Sequence, residues 1–264
     1  MSAEAVIAYV ALAAIEGMLV ALPSATALGR LRRLRSPLWA LVPPAALLFG
    51  TFGLLAFPSL ATGLALLAAI ATPALAAIAV VAVIHGRHPS LLVVPLLLGA
   101  IAVVGSGWLG QLAASLLVAL GCLTVGAALV AVAPGRWLHL GVLCVCVVDV
   151  LMLVLGVGQP SAALLDHALD SGPLPTFHRA HLGPITKDYP DLVLAAVLGG
   201  IVAGRAIQQR TAVLVGILAA AYGGLFAVAD MLPATVPTAL VLILVEWGPR
   251  AWALPHPPPE PATA

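Results

Sequence analysis

Long apolar runs separated by short polar breaks make up nearly the whole chain. A helix that crosses a bilayer needs about 20 mostly apolar residues. Reading for such stretches gives nine, at roughly 4–28, 37–57, 60–84, 89–108, 110–133, 138–158, 189–207, 211–230 and 233–249. The breaks between them are rich in Arg or Gly or marked by Pro, and the tightest is Gly107-Trp108-Leu109-Gly110. One connection differs: 159–188 is a polar loop of thirty residues, QPSAALLDHALDSGPLPTFHRAHLGPITKD, placed to fold over the mouth of a site. The pattern predicts an all-α polytopic membrane protein with one transmembrane domain over 1–253. A disordered Pro-rich tail, 254–264, follows.

Composition agrees. The 264 residues are 62% hydrophobic and 8% charged, with a mean hydropathy of +1.16, where a soluble domain carries about 25% charged residues. So much apolar surface calls for the lipid bilayer as solvent. A net charge of +1 and the lack of a basic, aromatic-laced patch give no reason to expect nucleic acid as a partner. Glu4 precedes the first run with no basic residues before it, so a cleaved leader is not expected. Cys122, Cys144 and Cys146 all fall inside apolar runs and read as small buried hydrophobes. The stretches 50-GTFG-53, 199-GGIVAG-204 and 216-GILAAAYGG-224 read as close helix packing.

Charge also orients the chain. With the N-terminus outside, the inner loops hold Arg30, Arg32, Arg33, Arg35, Arg87, Arg136, Arg205, Arg210 and Arg250, and the outer side keeps only Arg179 and Lys187. Nine against two follows the positive-inside rule and requires an odd number of spans. Trp39, Trp137, Trp247 and Trp252 then lie at inner ends and Trp108 at an outer one, as interfacial anchors do. An inner bacterial membrane suits the Ala, Leu and Val richness.

Against this background, acids inside apolar runs are conspicuous. A carboxylate at mid-bilayer costs about 2.5–3.5 kcal/mol on insertion scales. Glu16 is central in the first run. Asp149, in 147-VVDVLMLVLG-156, is central in the sixth run, and Asp191, in 189-YPDLVLAAVLGG-200, lies in the first turn of the seventh. Asp230 and Glu246 lie near span ends, within reach of headgroups. Asp149 and Asp191 belong to consecutive antiparallel spans, expected to be neighbours. Two carboxylates held close cannot both ionise, and a dyad sharing one proton is what aspartic hydrolysis uses. Pro190 suits the first turn of a helix, and Tyr189 before it is pushed to an extended conformation. Asp191 is therefore expected where a strand meets a helix. The alternatives are that Asp149 satisfies a backbone or Ser/Thr donor and that Asp191 caps its span. Asp149 lies deeper than Asp191 unless 182-LGPITKDYP-190 dips into the protein.

The ninth run opens with 233-PATVPTALVLIL-244, whose two prolines predict an unwound start. Acids on spans six and seven and irregular backbone at span nine together resemble the presenilin and signal peptide peptidase family of intramembrane aspartyl proteases. That family has nine spans, a Tyr-Asp in span six, a Gly-x-Gly-Asp in span seven and a Pro-Ala-Leu near span nine. The counterparts here are 148-VD-149, 188-DYPD-191 and 237-PTAL-240, with 233-PAT-235 as a second alignment. Val148, Asp188 and Pro190 depart from the motifs, and Thr238 is inserted. The N-out orientation looks like the signal peptide peptidase branch. The resemblance implies Asp149 and Asp191 as catalytic dyad and a transmembrane helical peptide, locally unwound, as substrate. Tyr189, Pro190, Pro237, Thr238, Ala239 and Leu240 would line its path. It implies no metal or organic cofactor.

Other constellations carry less. His178 and His181 are three apart in the outer loop, a possible metal pair beside His167, Asp166 and Asp170. His85 and His88 flank Arg87 at the inner face. Ser106 and His139 lie at opposite ends of their spans, which excludes a rhomboid-type serine protease. A proton-coupled transporter with Glu16, Asp149 and Asp191 as relay is the competing function, although no internal repeat supports it. A non-catalytic scaffold is a third.

Overall fold

The computed structural model describes residues 2–84, 89–170, 177, 179–227 and 232–248. The readings placed on His85, Arg87, His88, His178, Asp230, Arg250, Trp252 and the tail lie outside these residues. The described chain is mostly helical. Its helices are α1 (Ala3–Ala21), α2 (Val42–Ala56), α3 (Leu60–Ile78), α4 (Val93–Val104), α5 (Gly107–Val132), α6 (Gly135–Leu155), α7 (Gly158–Asp170), α8 (Tyr189–Val202), α9 (Gln208–Gly223) and α10 (Val236–Trp247). Two short strands, β1 (Arg179–Leu182) and β2 (Ile185–Asp188), form an antiparallel hairpin between α7 and α8.

Every predicted apolar run overlaps a helix among the described residues. Five helical stretches are long and apolar enough to cross a membrane: Ala3–Ala21, Pro37–Ala56, Leu60–Val83, Gly107–Val132 and Gly135–Val154. Shorter apolar helices run over Ser90–Val104, Tyr189–Val202 and Val236–Trp247. Large apolar side chains stand fully outward, among them Phe49, Ile70, Leu96 and Val104. Such a continuous surface suits hydrocarbon and not water. The architecture is that of an all-α, membrane-embedded protein.

The centre is α5, which packs against α8, α3, α4 and β1. Close approach explains the tightness. A Cβ on Gly126 would lie 2.8 Å from the backbone of Ala196, and one on Gly199 would lie 2.7 Å from Val20 Cα. Bare backbones thus let α5, α8 and α1 stack into one wall, the arrangement small residues permit in membranes.

Polar contacts pin the two ends of the bundle. At one, Trp108 Nε1 donates to Glu4 Oε1 at 3.3 Å, and Gly183 N donates to Gln111 Oε1 at 2.7 Å. At the other, Gln208 Nε2 donates to the carbonyls of Val20, Ala21 and Pro23 at 3.0–3.2 Å, satisfying the orphan acceptors at the end of α1. Arg205 Nη1 pairs there with Glu246 Oε1 at 2.6 Å.

Four expectations are amended. The tight turn falls earlier than 107–110, because α4 already ends at Val104 and α5 starts at Gly107. The polar loop 159–188 is not loop throughout: it holds most of α7, packed on α2 and α3, and the whole hairpin. Cys144 is exposed and Cys146 half-buried, and only Cys122 is buried, since α6 turns one face outward. Finally, the unwound start of the ninth run is confined to 232–235. Pro237, Thr238, Ala239 and Leu240 are helical, because a proline in the first turn removes an N–H that had no intrahelical partner.

Candidate active site

The segment 182–190 does enter the protein. Ala180, Leu182 and Lys187 are buried, with β1 against α5 and β2 against α1 and α8. The two-residue turn Gly183-Pro184 makes Leu182 and Ile185 the closing pair. Hydrogen-bonded pairs alternate along such a ladder. The N–H and C=O of His181 and Thr186 therefore point away from the hairpin, to opposite sides. On the His181 side the edge is sealed: its N–H donates to Ser115 Oγ at 3.0 Å, and Ser115 Oγ donates to its carbonyl at 2.8 Å. On the Thr186 side no partner meets these groups among the described residues, and Thr186 is exposed.

Strand β2 runs directly into α8, so Asp191 does lie where a strand meets a helix, but Tyr189 is already helical rather than extended, and Asp188 is the last extended residue. Asp188 is the N-cap, and a capping box joins it to Asp191, whose Oδ2 accepts the Asp188 N–H at 3.2 Å. Asp191 is buried. Tyr189 turns the other way. Its hydroxyl donates to the Phe177 carbonyl at 2.9 Å and meets Thr72 Oγ1, tying α8 to α3.

Asp149 comes from α6 and is half-buried. Its Oδ2 accepts from Thr235 Oγ1 at 2.7 Å and from Thr235 N at 3.4 Å. Thr235 is fully buried, in the non-helical lead to α10. Cys146, one turn before Asp149, faces the same threonine. Both acids thus fill the structural roles foreseen for them, one meeting a Thr donor and the other capping a helix.

They also share a neighbourhood. α6, α8 and α10 meet pairwise. No hydrogen bond joins the two carboxylates among the described residues. Each acid is therefore oriented by one local hydrogen-bonding partner, Thr235 for Asp149 and Asp188 for Asp191.

Two participants were not foreseen as such. Lys187, assigned to the outer loop by charge, is buried with Glu16 in an ion pair, the two side chains 2% and 1% exposed. Its ammonium also lies 5.2 Å from the centroid of the Tyr9 ring. Partners 171 residues apart leave no sequence spacing to read. Thr235 was within reach, because it closes 233-PAT-235, the second alignment for the ninth run. Of the residues expected to line a substrate path, Pro237, Thr238 and Ala239 are buried in the first turns of α10 and Leu240 faces outward. Their backbone is engaged in helix and presents no free edge to a strand.

Among the described residues no group of three His, Cys, Asp or Glu is placed to hold a metal ion. No family model matches the chain, and neither a curated protein nor a solved structure matches it.

Proposed function

We propose that the protein is an intramembrane aspartyl protease that hydrolyses peptide bonds within transmembrane helices, with Asp149 and Asp191 as the dyad. What supports this reading is that the two helices carrying these acids, α6 and α8, pack on one another and on α10. A carboxyl pair in such surroundings holds one proton between its members. The ionised partner takes a proton from water, and the protonated one gives its proton to the scissile carbonyl oxygen. Nothing in this chemistry requires a cofactor.

The open edge of β2 supports the same reading. A peptide bond inside a helix is shielded by its own hydrogen bonds, so the substrate must unwind locally. An unwound stretch can add as a strand to a free edge. The Thr186 N–H and C=O would pair with it five residues before Asp191. Tyr189 then serves as the anchor of this junction rather than as a substrate contact, and Pro190 as the start of α8.

The topology that goes with this function is nine spans, with the N-terminus outside and the C-terminus cytoplasmic. It is supported by the bundle's two ends, where Glu4, Trp108 and Gly183 gather at one and Pro23, Gln208 and Glu246 at the other. It accords with a bacterial inner membrane protein of the presenilin and signal peptide peptidase type, whose partners are lipid and helical substrates.

The test is co-expression of a panel of single-span reporters with wild type, Asp149→Ala and Asp191→Ala. Wild type should release a truncated fragment, both variants should release none, and an aspartyl transition-state analogue should block release. An uncleaved panel would sink the proposal.

One observation favours a second reading, a proton-coupled transporter. Glu16 Oε2 is buried without a hydrogen-bond partner among the described residues, as a group that binds and releases a proton would be. Proton uptake by vesicles that follows a solute, with intact reporters, would favour it.

A further inference from the structure

Away from the candidate site, 30-RLRRLR-35 places four arginines in six residues. They lie between two stretches long and apolar enough to cross a membrane, Ala3–Ala21 and Pro37–Ala56, and so at headgroup level. The positive-inside rule asks only that such a loop be charged. Here the charge is also arranged. Gly29–Leu34 and Pro37–Leu41 are 3-10 helices. At about three residues per turn, positions three apart share a side. Arg30 and Arg33 make one row, Arg32 and Arg35 a second, and Leu31 and Leu34 a third.

The segment is anchored to the bundle. Ser36 N donates to the Val132 carbonyl at 2.9 Å, and Trp39 Nε1 donates to the Leu34 carbonyl at 3.0 Å. Ala40 approaches α6 so closely that a Cβ on Gly141 would collide with its carbonyl. The chain enters through Leu28 at φ 47°, a left-handed conformation that a leucine keeps only where its surroundings impose it. All four arginines are exposed. Arg32 reaches the Ala25 carbonyl at 3.4 Å, and Arg30, Arg33 and Arg35 meet no acid or acceptor among the described residues. Glu246, the acid at this end of the bundle, is already paired with Arg205. Beside the arginines, Leu34, Leu38 and Leu41 stand 58–72% exposed.

We propose that 29–41 is a binding surface for anionic phospholipids, with Arg30, Arg32, Arg33 and Arg35 clasping headgroup phosphates and Leu34, Leu38 and Leu41 entering the acyl boundary. A guanidinium fork takes two phosphate oxygens at once. Basic clusters next to a span draw anionic lipid, and apolar side chains on the same segment enter the boundary below. A soluble phosphate would gain nothing from the leucines. This surface is independent of the proteolytic reading.

The test is titration of the purified full chain in detergent with phosphatidylglycerol, bound lipid being counted by native mass spectrometry. Wild type should bind it more tightly than phosphatidylcholine, which carries a phosphate but no net charge. Inorganic phosphate at the same concentration should not displace it. R33Q should lose roughly fivefold in affinity, the weight of one basic residue at an anionic surface. R210Q removes the same charge from the same end, but on α9, which packs on α1 and α10, and should match wild type. Equal losses in R33Q and R210Q would mean a diffuse field and overturn the assignment. Displacement by phosphate, the mark of a free-anion site, or equal binding of the two lipids would also overturn it. Should R33Q fail to insert, R33K decides. It keeps the charge that orients the chain and loses the planar fork, so it should bind several-fold more weakly, and unchanged binding would refute the surface.

Discussion

Helix α8, which carries Asp191, is enclosed on nearly every side, whereas α6, which carries Asp149, turns much of its length outward. On α8 the residues Leu192, Leu194, Ala195, Ala196, Val197 and Leu198 are all within 1% of complete burial. On α6, Val147, Leu151, Val154 and Leu155 stand 47–77% exposed. Asp191 is locked by a capping box within its own chain segment. Asp149 is held across helices by Thr235. A two-acid site thus joins a fixed half to an adjustable one. Local opening favours elements with few buried contacts, so on the proteolytic reading proposed above a substrate helix would enter from the α6 side.

The sharpest break of this picture is chemical. Asp149→Asn and Asp191→Asn should each lower cleavage by about 10²–10⁴-fold, the usual weight of a general acid or base. If they form one unit, the double variant should be hardly worse than either single one. Losses that multiply, measured as initial rates on one reporter, would make them independent acids.

Removing one buried charge comes next. Lys187→Met leaves Glu16 uncompensated and should destabilise the fixed half by about 3–5 kcal/mol. The double variant E16Q/K187M should recover most of that, read as thermal unfolding in detergent. Equal losses in both would mean that packing, not charge, holds β2 on α1.

What the sequence showed of this comparison follows the range of the interactions. Apolar runs were legible because hydrophobic length is local, and so was the strand-to-helix junction at Tyr189-Pro190. The hairpin was hidden because its residues are polar and its burial comes from α5 and α1. Asp149 and Asp191 were legible as rare charges in apolar runs. Glu16 was noticed for the same reason, but its partner was not, because Lys187 lies in a polar stretch. Thr235 is an ordinary residue type made special only by meeting Asp149.

Packing offers a third contrast. Gly199→Ala drives a methyl to 2.5 Å from the Leu19 carbonyl oxygen, and overpacking of this kind costs about 1–3 kcal/mol. Gly63→Ala on α3 meets nothing within 4 Å and should be neutral or stabilising by up to about 1 kcal/mol. Comparable losses at both sites would remove the distinction between a tight wall and a loose periphery.

The smallest effect concerns the adjustable half. Thr235→Val keeps the shape of the side chain and deletes the hydroxyl that donates to Asp149 at 2.7 Å. A hydrogen bond to a charged group contributes about 1.5–3 kcal/mol, and the Thr235 N–H at 3.4 Å retains part of the hold. The loss should therefore fall near the lower end, about tenfold in kcat with KM little changed, because the hydroxyl orients the acid and does not bind substrate. Thr235→Ser should restore the rate. A KM effect of the same size would instead put Thr235 on the substrate path, making α10 a binding wall rather than the support that aims Asp149 at Asp191.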